Sequence, residues 1–201
     1  MIDVKEITDL QKVAVTRWHL SGVENPYQDF LAIVCQEHER NYRLWHREDV
    51  ARSADVADAE LAQVKRDIDK LNQQRNDLIE QLDDFLIEQL RIAGVQPWPE
   101  AHLNSETPGS AIDRLSILAL RIYHMEEQAA RTDADEQHRA GAAAKLEILH
   151  QQHADLSRSL SELLEDIFAG RKRLKVYRQF KMYNDPTMNP CLYRTGKRSA
   201  A

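Results

Sequence analysis

Apolar residues recur at intervals of three and four through most of this chain, as in Ile68, Leu71, Leu78, Leu82 and Leu86, or Leu146, Leu149, Leu156, Leu160, Leu163 and Ile167. That spacing stacks side chains on one face of a helix, and no stretch shows the competing period of two that a half-buried strand needs. Proline stops helices, because its ring removes an amide donor and collides with the preceding turn. Pro26, Pro97, Pro99, Pro108, Pro186 and Pro190 leave 27–96 and 109–185 uninterrupted. The pattern predicts a short helix near 4–20, long helices near 27–52, 56–93, 108–131 and 134–169, and a short basic helix or extended tail after Gly170.

The long helices come as two copies of one unit. When the sequence is slid against itself by 78 residues, Arg43-Leu44-Trp45-His46-Arg47-Glu48-Asp49 faces Arg121-Ile122-Tyr123-His124-Met125-Glu126-Glu127, and thirteen of the forty-four pairs from 43 to 86 are identical. The repeated unit is a helix, a turn and a helix. Each turn carries acids spaced as an N-cap and the N3 residue that reaches back to it, Asp55 with Asp58 and Asp133 with Glu136. Short turns give antiparallel hairpins, and two hairpins with apolar stripes they cannot bury alone pack together. The expected fold is all-α: an elongated four-helix bundle of two repeated antiparallel hairpins, about 27–93 and 108–169, related by a pseudo-two-fold. One domain spans 1–201, with a short N-terminal helix and a basic C-terminal segment 171–201. A helix of some 36 residues is about 54 Å long, so a homodimer along the bundle is open to it.

Composition narrows the setting. With 42% hydrophobic residues the chain can build a core, yet no stretch approaches the apolar length of a membrane span. Met1-Ile2-Asp3-Val4-Lys5-Glu6 lacks the basic and then apolar order of a secretory leader, and Cys35 and Cys191 have neither zinc nor redox spacing. A reducing cytoplasm is the expected compartment. The net charge of −6 conceals an asymmetry: 171–201 carries nine Lys+Arg and one acid, whereas 1–170 carries eighteen Lys+Arg and thirty-two acids. Such a segment suits an anionic ligand or the acidic surface of its own body. Nucleic acid is not expected, because the basic charge is confined to one short stretch.

Candidate chemistry lies where polar residues occupy faces that should be apolar. On the second helix the face of Leu31, Val34, Tyr42 and Trp45 continues through His38, Asn41, Glu48, Asp49 and Arg52. On the third, Asp69, Asn72, Asn76, Glu80 and Asp83 lie side by side on the helical wheel beside the core stripe, and Arg75 sits on the stripe itself. Asn is a poor choice for a merely solvated helix surface. Glu48 and Asp49 together with Glu80 and Asp83 are the candidate ligands of a hard cation, magnesium or manganese, which takes carboxylate oxygens. Ion pairing with Arg52 and Arg75 is the structural alternative. Thr107 is expected to cap the fourth helix with Pro108 at its first position, leaving the amides near Gly109 open to an anion. Asp113 and His124 share a face of that helix, as a structural pair or a catalytic one.

Several blocks resemble a bacterial family known as domain of unknown function 4254. They are Leu44-Trp45-His46-Arg47-Glu48-Asp49-Val50-Ala51-Arg52, Ile68-Asp69-Lys70-Leu71-Asn72-Gln73-Gln74-Arg75-Asn76-Asp77, Leu103-Asn104-Ser105-Glu106-Thr107-Pro108-Gly109, and Tyr177-Arg178-Gln179-Phe180-Lys181-Met182-Tyr183-Asn184-Asp185-Pro186. The resemblance implies no activity, only an association with envelope polysaccharide assembly and so with sugar or nucleotide-sugar chemistry. Glu48-Asp49 with Glu80-Gln81-Leu82-Asp83 is also similar to the metal-binding acids of all-helical nucleotide pyrophosphohydrolases, although an adjacent doublet replaces their first spaced pair. The expected function is a metal-dependent phosphohydrolase or phosphotransferase acting on a phosphorylated small molecule. Glu48, Asp49, Glu80 and Asp83 would hold the cation; Asn72, Arg75, Asn76, Thr107, Gly109, Arg178 and Lys181 would bind the ligand; His46, His124 or Asp113 would move a proton. The competing reading is a non-catalytic helical adaptor.

Overall fold

The computed structural model describes residues 2–178, 182, 185 and 187–190. The helices are α1 (Val4–Ser21), α2 (Asp29–Arg52), α3 (Asp58–Ile92), α4 (Pro108–Ala130) and α5 (Glu136–Phe168). Two-residue strands β1 (His102–Leu103) and β2 (Lys172–Arg173) pair in parallel. The all-α expectation holds, and among the described residues no helix is long and apolar enough to cross a membrane.

The sequence repeat reappears in the helix bounds. Shifting α2 and the start of α3 by 78 residues lands within a residue of α4 and on the start of α5. Positions that correspond in the two units also touch: His38 Nδ1 lies 2.8 Å from Ser116 Oγ, and the rings of His46 and His124 are 5.9 Å apart. The helix packing does not follow the expected two-fold, since α3 packs on α4 while α5 meets α4 and α1 rather than α2. The predicted caps are displaced. Asp135, not Asp133, caps α5 by accepting from the His138 amide at 2.7 Å, and Ala57 stands at the N-cap of α3 with no side-chain bond. Asp133 instead pairs with Arg131 at 2.8 Å.

The main core lies at one end of the hairpins, where Val34, Leu82, Ile112 and Leu160 meet with almost no exposure. α1 closes that end with Val4, Ile7, Leu10, Ala14 and Trp18, and Gln11 pins it by donating to the Ile112 carbonyl at 3.2 Å. Leu44, Val64 and Ile68 form a second, smaller core nearer the turn of the first hairpin. Between the two cores the helices are lined by polar residues.

After α5 the chain follows an extended path. Gly170 takes a φ of 76°, and the Arg171 amide returns to the Asp166 carbonyl at 2.8 Å, which ends the helix in a left-handed turn. Of the short basic helix and the extended tail expected after Gly170, residues 171–178 take the extended form, and Lys172 and Arg173 pair with β1. Lys181, expected among the ligand-binding residues, lies outside the described residues.

Candidate functional site

Three helices cross at the middle of the molecule and each contributes a histidine: His19 near the end of α1, His46 on α2 and His124 on α4. One ring nitrogen from each lies within 4.8 Å of the others. Aromatic rings hold them in place. His19 stacks on Tyr123 with centroids 4.3 Å apart, His124 stacks on Trp45 at 4.6 Å, and Tyr42 meets His46 edge-on at 4.5 Å. His19 Nδ1 lies 2.7 Å from the Val15 carbonyl, and His124 Nδ1 lies 2.8 Å from Glu127 Oε2. The Nε2 atoms of all three rings are buried and have no hydrogen-bond partner among the described residues. Burial first, then the neighbouring His19 and His124, lowers the pKa of His46.

One turn earlier on α2, a polar cluster is enclosed in the bundle. Asn41 Nδ2 donates to Glu37 Oε1 at 2.5 Å, Asp113 Oδ1 at 2.9 Å and Ser116 Oγ at 2.9 Å, with the Arg75 guanidinium 3.7 Å from Asp113. Two carboxyl groups in one low-dielectric site cannot both ionise cheaply. Burial, and secondly Asp113, push Glu37 well above the usual carboxylate range. Burial depresses His38 to about 3, leaving it a neutral ring against Trp18.

Two concavities flank α2. The larger, about 630 Å³, runs between α2 and α3 and is walled by Arg40, Arg43, Arg47 and Lys70, with Tyr42 and His46 on its α2 side. Only two acids answer those four cations: Glu39 pairs with Arg40 at 2.9 Å and Arg43 at 2.7 Å, and Asp67 pairs with Arg47 at 3.4 Å. Lys70 has no ion-pair partner among the described residues, and Arg40 Nε is buried without one. The second cleft, about 390 Å³, opens on the other side of α2, where Glu48, Asp49, Arg52, Asn72, Arg75 and Arg121 surround Asn41 and Trp45.

A family model for proteins of unknown function, DUF4254, matches residues 31–176. The chain belongs to that family. No curated protein and no solved structure matches it. The matched part of this DUF4254 chain holds both concavities, His46 and His124, while α1 with His19 precedes it.

The four carboxylates expected around one cation are held apart. Because α2 and α3 turn back at 53–57, Arg47 faces Asp67, and Glu80 lies about 20 Å further along α3. Glu48 pairs with Arg52 at 3.0 Å and shares the smaller cleft with Asp49, Asn72 and Arg75. Glu80 pairs with Arg178 at 3.0 Å, and Arg178 also pairs with Asp84. Asp83 is buried and accepts from the Gly109 amide at 2.7 Å. The expected anion at the start of α4 is thus the protein's own carboxylate. Thr107 does cap α4, accepting from the Ser110 amide at 3.2 Å, and Gly109 is required by the close approach of α3, since a Cβ there would sit 2.6 Å from the Ile79 carbonyl oxygen. Asp113 and His124 do not pair, because Asp113 turns to Asn41 and Arg75 and His124 to Glu127. Asn76 lies on α3 away from both concavities' walls.

The sequence reading missed His19, Glu37 and the cations of the larger groove. Glu37 had no periodic signal, since it flanks the stripe it joins. Arg40, Arg43, Arg47 and Lys70 did: the first three recur at three and four along one face of α2.

Proposed function

We propose that this chain binds a phosphorylated small molecule, a nucleotide or a sugar phosphate, in the basic groove between α2 and α3, and hydrolyses or transfers its phosphate with a divalent cation. The observation that carries this reading is the groove's charge: Arg40, Arg43, Arg47 and Lys70 against Glu39 and Asp67. Surplus positive charge on a concave wall attracts an anion more strongly than the same charge on an open surface. Guanidinium groups match phosphate oxygens in pairs, and the volume of about 630 Å³ suits a ligand of nucleotide size. Tyr42, Val50 and Leu71 supply an apolar side for a base or sugar ring. A cation belongs to the reading because phosphate chemistry needs the phosphoryl charge neutralised and a water activated.

The adaptor reading draws on a different observation. Much of the first half of α5 is exposed, and Ile148 on it is 58% exposed, so that helix offers a face to a partner protein.

A thermal-shift screen separates the two. Nucleoside phosphates and hexose phosphates, each with magnesium, manganese or zinc, should include one class that stabilises the chain by about 2.7 kcal/mol at a hundred times its dissociation constant. The Arg47→Ala, Lys70→Ala double variant removes two exposed cations and should bind that ligand at least tenfold more weakly. If no phosphorylated compound shifts the wild type, the groove reading fails and the adaptor reading gains.

A further inference from the structure

We propose that His19, His46 and His124 form a transition-metal site of the zinc type, with the three Nε2 atoms as ligands and a fourth position left for water or substrate. The inference stands on the histidine geometry alone and does not depend on what the basic groove binds.

The first support is convergence. Three helices that are remote in sequence place one ring nitrogen each within 4.8 Å of the other two. A tetrahedral ion bonded to three imidazoles at 2.0–2.1 Å holds their nitrogens about 3.3 Å apart, so small ring rotations close the site.

The second is the state of the nitrogens. A buried imidazole nitrogen without a partner is costly, and here the Nε2 of each of the three clustered rings is such an atom. Each is a buried polar atom whose lack of a protein partner calls for an ion or an ordered water.

The third is the tautomer. The Val15 carbonyl can only accept, so His19 Nδ1 donates to it, and His124 Nδ1 donates to the Glu127 carboxylate in the same way. In the neutral ring this leaves the lone pair on Nε2. Metal-bound histidines are held by such outer hydrogen bonds to carbonyl or carboxylate oxygens. Stacking on Tyr123 and Trp45 fixes the planes of the same two rings.

The donor set then selects the ion. Three imidazoles without carboxylate or carbonyl oxygens suit zinc and its transition-metal neighbours, whereas magnesium and calcium demand oxygen. Three protein ligands with one open position is the arrangement of catalytic rather than structural zinc. His46 also lines the basic groove, so the histidine cluster and the groove share that residue. In this role His46 and His124 are ligands, not the proton carriers expected from the sequence.

The repeat explains why the site needs α1. His46 and His124 are corresponding positions of the two units and lie ring to ring, and two imidazoles alone leave an ion under-coordinated. His19 comes from outside the repeat and completes the set.

The test titrates the full chain, stripped with a chelator, with zinc chloride alone by isothermal calorimetry, and with cobalt(II) for its visible spectrum. One zinc per chain, with a raised melting temperature that magnesium does not reproduce, is expected; cobalt should show the d–d bands of a four- or five-coordinate ion. His19→Gln, His46→Gln and His124→Gln should each weaken zinc binding by at least tenfold with unchanged circular dichroism. Glu127→Gln changes a half-exposed side chain that the fold does not need, and should weaken zinc about tenfold. A wild type that binds no stoichiometric zinc overturns the proposal, as does a triple His→Gln variant that still binds one zinc with wild-type affinity. Because no phosphate compound is present, the result is independent of the groove reading.

Discussion

At the scale of single residues, the enclosed cluster around Asn41 makes two opposite demands on protons. Glu37 is raised by burial and by Asp113, so folding favours its protonated form: that contribution is complete below the ordinary carboxylate pKa of about 4.5 and is lost as pH rises through the folded value. His38 runs the other way. Depressed to about 3, it favours folding when neutral; its contribution is present above its ordinary value of 6.5 and is lost as pH falls toward 3, amounting to roughly 5 kcal/mol if fully expressed. Glu37→Gln keeps an acceptor for Asn41 and gains a donor for Asp113, so it should grow more stable relative to wild type as pH rises above 4.5. His38→Gln should gain on wild type as pH falls below 6.5. Urea unfolding of the three proteins between pH 4 and 9 checks both signs, and parallel curves would contradict them. Little of this was legible beforehand. His38 and Asn41 stood out as polar residues on an apolar face, but the bonds from Asn41 to Asp113 and Ser116 depend on α4, remote in sequence, packing against α2 at that depth.

At the scale of elements, the periodicity and the prolines were enough to read five helices to within a few residues, because apolar residues recur at three and four in each of them and proline falls only outside them or at the first position of α4. What the helical wheel does not carry is depth along the axis. It put Glu80 and Asp83 on the same side as Glu48 and Asp49, yet in an antiparallel hairpin turning at 53–57 those pairs belong to different levels. Arg47 faces Asp67, while Leu82 packs with Val34 in the main core. Asp83 consequently serves the contact between α3 and α4, where it holds the Gly109 amide and α4 comes too close for any side chain at that position. Gly109→Ala should cost about 1–3 kcal/mol or more, since the added methyl meets the Ile79 backbone carbonyl, which cannot rotate away. Denaturant midpoints of the variant and the wild type measure this, and an unchanged midpoint would mean that the two helices can separate freely.

At the scale of the whole molecule, the repeat places corresponding residues of two hairpins against each other, and α1 adds one histidine from outside it. The offset of 78 residues made His46 and His124 visible as equivalent positions in the sequence. His19 was invisible because nothing in α1 repeats, and its partners are set only by how α1 docks, through Gln11 on α4 and Trp18 beside His38. The result is a histidine centre and a basic groove that share His46 as a common wall. The central claim is that these two features form one site, a metal next to a bound phosphate. Phosphorus-31 relaxation of a phosphorylated ligand tests it most directly, with the chain loaded first with diamagnetic zinc and then with paramagnetic cobalt(II). Cobalt should strongly broaden the resonance of the bound phosphate, and Arg47→Ala, Lys70→Ala should relieve the broadening. A bound ligand whose phosphorus resonance is the same with either metal would place its phosphate away from the histidines and contradict the account.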